Sequence, residues 1–148
     1  MAKIRSIAVA VDGSEHAHRA LEQALELAKN ASAALTLVSV VPVQTVYSFD
    51  RGTQSLGPRE EDRRFIDELL QRYEEIAHKA GVRSVSKVVF EGQVVEELLV
   101  FLDEHRPDMI VLGARGLSPM GRLFLGSVSD ALVHHAHCSV LVVRPPRS

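Results

Sequence analysis

Gly113-Ala114-Arg115-Gly116, nine further residues, and then Gly126-Ser127 are the residues of this 148-residue chain best suited to chemistry. They follow the apolar run Met109-Ile110-Val111-Leu112. Glycine lets a backbone turn sharply and lets its N–H groups approach an anion closely. A helix opening at Gly126-Ser127 would aim its first amides and the Ser127 hydroxyl at that same anion. The chemistry expected is phosphate binding at a strand-to-helix junction. Each glycine alone also reads as a turn residue, but three of them with a serine at one junction favour the anion cradle.

Known phosphate motifs narrow the kind of cradle. Gly116 to Leu123 mimics the glycine spacing of a P-loop, with Arg122 where the lysine belongs and Leu123 where the metal-binding hydroxyl belongs. No G-x-G-x-x-G occurs, so the dinucleotide fingerprint is missing. A second candidate is Asp12-Gly13-Ser14, just after the run Ala8 to Val11. Asp12 at a strand end can accept hydrogen bonds from a ribose or base, or hold a metal through water. The other reading is that Asp12 or Ser14 caps the next helix. No Glu or Gln follows Ser14 at the third position, so a reciprocal capping box is absent.

Apolar runs and helical patterns alternate around these residues. Strands are expected at Ile4–Val11, Ala34–Val41, Val85–Phe90, Met109–Leu112 and Ser139–Val143. Helices are expected over 15–30, 59–79, 94–102 and 128–136. In the first, Ala17, Ala20, Leu21, Ala24, Leu25 and Ala28 share one face; in the second, Phe65, Ile66, Leu69, Leu70, Tyr73, Ile76 and Ala77 do so. Gly81 stops the second helix. The fold class is therefore α/β: an open, doubly wound, five-stranded parallel sheet with helices on both faces. One domain spans 1–148, with no repeat or linker. Two connections, Pro42–Pro58 and Gly113–Leu125, are long and expected to be irregular. Both follow strand C-terminal ends, where open α/β sheets bind ligands.

Composition bounds the function. Hydrophobic content of 46% and charged content of 24% are those of a globular protein. A net charge of −2 gives no field that would draw nucleic acid or an anionic membrane. Neither a signal-peptide core nor a stretch approaching ~20 apolar residues is present, so the cytoplasm is expected. The single Cys138 excludes an internal disulfide and reads as a small packing residue rather than a nucleophile. His134, His135 and His137 have poor spacing for a shared metal and suit a helix C-terminus instead. His16 and His18 read as surface residues, and Tyr47 and Phe49 as covering a nucleotide, packing locally or meeting a partner chain.

Gly-x2-Gly-x9-Gly-Ser after the fourth strand resembles the ATP-binding signature of the universal stress protein family, through Gly113, Gly116, Gly126 and Ser127. Ile7 to Ser14 resembles that family's first strand with its aspartate, Leu35 to Pro42 its second strand, and Cys138 to Pro145 its last. Ser39 stands where many members carry His. The resemblance implies strand order 3-2-1-4-5, which sets Asp12 beside the Gly113 loop. It also implies a nucleotide site: Ala10 lining the adenine pocket, Asp12 on the ribose or adenine side, and the Val40 main chain on the adenine. Gly113, Arg115 and Gly116 would line ribose and phosphates, completed by Gly126, Ser127, Val128 and Ser129. Arg122 reads either as a ligand for a terminal phosphate or as a solvated loop residue.

The function expected is ATP-dependent conformational regulation, with magnesium or manganese bridging the phosphates and an unnamed protein partner downstream. The apolar edge Val140–Val143 needs cover, and the expected cover is its own copy in a homodimer. The alternatives are a slow ATPase, a cyclic-AMP binder and a flavodoxin-like FMN carrier. No base beside the predicted phosphates supports hydrolysis, and Asp12-Gly-Ser-Glu15 matches an FMN loop poorly.

Overall fold

The computed structural model describes residues 3–115 and 125–146. Its main sheet is built from β1 (Ser6–Ala10), β2 (Ala34–Pro42), β5 (Val85–Gly92), β6 (Met109–Gly113) and β7 (Ser139–Val143). The order is β5-β2-β1-β6-β7 and every pairing is parallel. This is the doubly wound α/β architecture and strand order anticipated above.

Period-two alternation in the inner strands makes two cores. Ile7, Val9, Leu35, Leu37 and Val111 face α1 (Glu15–Ala31) and α2 (Glu60–Lys79). Ala8, Val38, Ile110 and Leu112 face α3 (Val94–His105) and α4 (Ser127–His135). The six positions assigned to the buried face of α1 are all buried. On α2, Ile66, Leu69, Leu70, Tyr73 and Ala77 are buried, whereas Phe65 is half-exposed near Gly13. Phe101 of α3 is fully buried, and truncating such a side chain to alanine costs about 3–5 kcal/mol. Burial on both faces holds for β1, β2 and β6; β5 and β7 are edges and keep partial exposure. Among the described residues, no helix is long and apolar enough to cross a membrane.

One expectation is overturned. The 42–58 connection is not irregular: β3 (Gln44–Ser48) and β4 (Gly52–Leu56) form an antiparallel hairpin. The Ser48 carbonyl accepts from the Arg51 amide at 3.3 Å, and Gly52 follows at φ +70. That is the chemistry of a three-residue hairpin loop, in which a glycine supplies the left-handed conformation.

Candidate functional site

A cavity of about 240 Å³ opens at the C-terminal ends of β1, β2 and β6. There β1 separates two parts of the sheet whose helices pack on opposite faces. Asp12 and the Gly113 loop, a hundred residues apart in sequence, therefore border one space. Ala10, Asp12 and Val40 line it from β1, its exit and β2. Gly113 and Arg115 line it from β6 and its exit. Gly126, Ser127, Val128 and Ser129 close it from the start of α4. Gly116, Arg122 and Leu123 lie outside the described residues.

The strand exits are held by specific bonds. The Val11 amide extends the ladder to the Val38 carbonyl at 3.0 Å. The Ser39 hydroxyl, buried, donates to the Val11 carbonyl at 2.7 Å. Sequence reasoning noted Ser39 only as a departure from a family pattern; a lone hydroxyl within an apolar strand was the available signal. Together these bonds set the direction in which the chain enters Asp12.

The question of what caps α1 resolves on geometry. The Ser14 hydroxyl accepts from the Ala17 amide at 3.1 Å, so Ser14 is the cap. Asp12 Oδ1 accepts the Ser14 amide at 2.9 Å, so one carboxylate oxygen braces the turn. Among the described residues, no hydrogen bond reaches Asp12 Oδ2.

The glycines are explained by close approach. A Cβ on Gly113 would lie 2.7 Å from His16 Cβ and 2.8 Å from the His16 carbonyl carbon and oxygen. The first turn of α1 rests directly on that residue. A Cβ on Gly126 would meet the Ala114 carbonyl oxygen and Arg115 Cα at 3.2 Å. The Ala114 carbonyl accepts both the Gly126 amide at 2.7 Å and the Ser129 hydroxyl at 2.9 Å. The Ala114 amide in turn donates to the Val143 carbonyl at 2.9 Å. The exit of β6 and the start of α4 are thus stitched together beside β7.

At the start of α4, the cap residue Gly126 has no side chain to offer. The first intrahelical bond runs from the Asp130 amide to the Gly126 carbonyl. The Ser127, Val128 and Ser129 amides therefore have no intrahelical acceptor, and these three residues line the cavity. Ser129 was expected to contribute to a phosphate site; its hydroxyl is committed to Ala114 and lies 3.0 Å from the Gly126 carbonyl. The opposite wall, Val94 and Leu98 of α3, was not anticipated. Those residues read only as an apolar helix face, and nothing local aimed them here.

Other candidates lie elsewhere. Tyr47 and Phe49 are on the hairpin and do not line the cavity. His134 Nδ1 is 2.8 Å from the Asp130 carbonyl within its own helix. Cys138 is half-buried and packs on the α3–α4 core, and that burial pushes its thiol pKa up, away from nucleophile behaviour.

The sequence model of the universal stress protein family matches residues 3–144. The chain belongs to the universal stress protein family. A putative universal stress protein of Staphylococcus haemolyticus is 36% identical over 152 residues, covering 97% of this chain and 87% of the relative. Among solved structures, the universal stress protein UspA of Lactobacillus plantarum superposes with a TM-score of 0.84 at 22% identity. The overlap covers 97% of this universal stress protein and all of the Lactobacillus chain. A universal stress protein solved in complex with cAMP superposes with a TM-score of 0.73 at 25% identity, covering 96% of this chain and 98% of that one.

Proposed function

We propose that this universal stress protein binds an adenine nucleotide, ATP first among them, in the cavity between α1, α3 and α4. The observation that carries the reading is the meeting of three features in one space. Val94 and Leu98 give an apolar wall for a base, Asp12 gives an acceptor for a sugar, and the uncapped start of α4 gives donors for phosphate. The cavity is smaller than the ~300–1,000 Å³ that encloses a whole drug-sized ligand, so base and sugar fill it and the phosphates extend along α4. Ala10 and the Val40 main chain border the base, and Arg115, Gly113, Gly116 and Gly126 the phosphates.

A magnesium or manganese ion fits this donor set only as a counter-ion of the phosphates. Asp12 is the one carboxylate in the lining, and the described residues hold no group of three metal-binding side chains. Such an ion would supply charge neutralisation, while the chain's own groups bind and orient.

The activity is regulatory. Binding alters a surface offered to a protein partner, by as much as the two states differ in affinity. The chain pairs with its own copy through the open β7 edge and works in the cytoplasm. A second reading, cyclic AMP as the ligand, is favoured by the similar structure solved with cAMP.

Mass spectrometry of co-purified small molecules, then calorimetric titration with ATP, ADP and cyclic AMP, tests the assignment. Tight, saturable ATP binding is expected, without multiple-turnover phosphate release. Folded protein that binds none of the three overturns it.

A further inference from the structure

The turn that carries Asp12 is held from outside the cavity. None of the residues lining the cavity belongs to α2, yet α2 lays side chains on Gly13. A Cβ built on Gly13 would lie 2.6 Å from Phe65 Cζ, 2.9 Å from Phe65 Cε1 and 3.8 Å from Leu69 Cδ2. The rim of the Phe65 ring therefore occupies the space that a side chain on Gly13 would take. Leu69, one helical turn further on, is buried in the core of that face. Phe65 is 49% exposed and stands outside that core, so core packing does not account for where its ring lies.

Gly13 is the residue of the turn whose conformation its own chemistry fixes least. It adopts φ +89, and a residue without a Cβ visits positive and negative φ with similar ease. From within, the turn is restricted by Asp12 Oδ1, which accepts the Ser14 amide across Gly13 at 2.9 Å. From outside, it is restricted by the Phe65 ring. The direction of Asp12 Oδ2, which no hydrogen bond reaches among the described residues, is set by that same turn.

We propose that Phe65 is a positioning residue for the Asp12 carboxylate: it holds the Asp12-Gly13-Ser14 turn so that Oδ2 meets the sugar hydroxyls of the bound nucleotide. The inference rests on the adenine-nucleotide reading above and gives Phe65 a part in selectivity rather than in general affinity. Val94, Leu98 and Val128, beside the base and phosphates, pack with the core on the opposite face of the sheet from α2. Phe65 therefore acts on the sugar contact alone. A hydroxyl donated to a carboxylate is a charge-assisted bond, and its alignment is worth about tenfold or more in affinity.

Calorimetric titration of the full chain with ATP and with 2′,3′-dideoxy-ATP tests this, with thermal unfolding of every variant measured alongside. Wild type is expected to prefer ATP by about tenfold or more. Phe65→Ala should cut that preference to about threefold or less, by weakening ATP and leaving dideoxy-ATP unchanged. Phe65→Leu, which keeps an apolar cover on the turn, should restore most of it. Gly13→Ala drives a Cβ into the ring and should lower the preference too, with the double variant no worse than the more affected single one. A Phe65→Ala protein that keeps the wild-type preference, or that weakens both nucleotides by the same factor, overturns the proposal and leaves nucleotide binding in place. Wild type that binds both nucleotides equally also overturns it. Wild type that binds neither removes the adenine-nucleotide reading itself, and this inference with it.

Discussion

Two helices begin beside the same cavity and begin differently. At α1, the Ser14 hydroxyl takes the Ala17 amide and Asp12 takes the Ser14 amide, so side chains of the turn itself hold two of the donors there. At α4, Gly126 stands at the cap position with no side chain, and the amides of Ser127 to Ser129 have no intrahelical acceptor. The difference divides the labour. The α1 start is a structural joint, pressed on Gly113 so closely that no Cβ fits between them. The α4 start leaves its orphan donors to something outside the helix, as an anion-binding terminus must.

Making α4 resemble α1 should give the largest effect. Gly126→Asp supplies a side-chain cap and a carboxylate where phosphate is proposed to sit. Like charges set against each other cost several kcal/mol, so ATP affinity should fall about 100-fold or more. Gly126→Ala controls for the 3.2 Å contacts that any Cβ would make. Calorimetry on folded protein is the measurement, and equal affinity in the aspartate and alanine variants would remove the anion site from α4.

Gly113→Ala attacks the joint instead. Its Cβ would overlap the His16 backbone, so α1 must shift, at about 1–3 kcal/mol for overpacking. Urea unfolding should show the lower midpoint. A variant as stable as wild type would mean that the first turn of α1 gives way freely. Ser14→Ala is milder: losing the cap should cost about 1 kcal/mol of stability. Nucleotide affinity should change far less than with Gly126→Asp, and the reverse ranking would invert the comparison.

The smallest effect is expected at the far end of the sheet. The Asp108 carboxylate accepts the Arg5 and Ser6 amides at 2.8 and 3.0 Å, and those bonds hold its pKa below the usual 3.8. A depressed folded-state pKa contributes stability that is present above 3.8 and is lost as pH falls through the lowered value. Asp108→Asn should therefore flatten the acid limb of the stability curve and leave nucleotide affinity unchanged. An acid limb of unaltered slope would assign that pH dependence to other carboxylates.

Much of this was legible locally. The apolar spacing of α1 named its buried face, because a helix repeats every few residues and six positions fall on one stripe. Alternation of strands with helices was enough to imply a parallel sheet, and the resemblance supplied its order. Nine of the ten residues proposed for the nucleotide line one cavity, and Gly116 lies outside the described residues. The hairpin was readable in principle, since Asp50-Arg51-Gly52 between β-rich runs is a turn signal.

What the sequence by itself determined was periodic or local: element types, the faces they bury, the turn chemistry and the spacing of the glycines. Only the tertiary structure decided why those glycines must be glycines. It placed the His16 backbone against Gly113, and the Ala114 carbonyl and Arg115 against Gly126. It also turned Ser39 onto the Val11 carbonyl and brought Val94 and Leu98 to the cavity that Asp12 lines. These are approaches between segments far apart in the chain, and a one-dimensional period carries no record of which distant backbone will come within van der Waals contact.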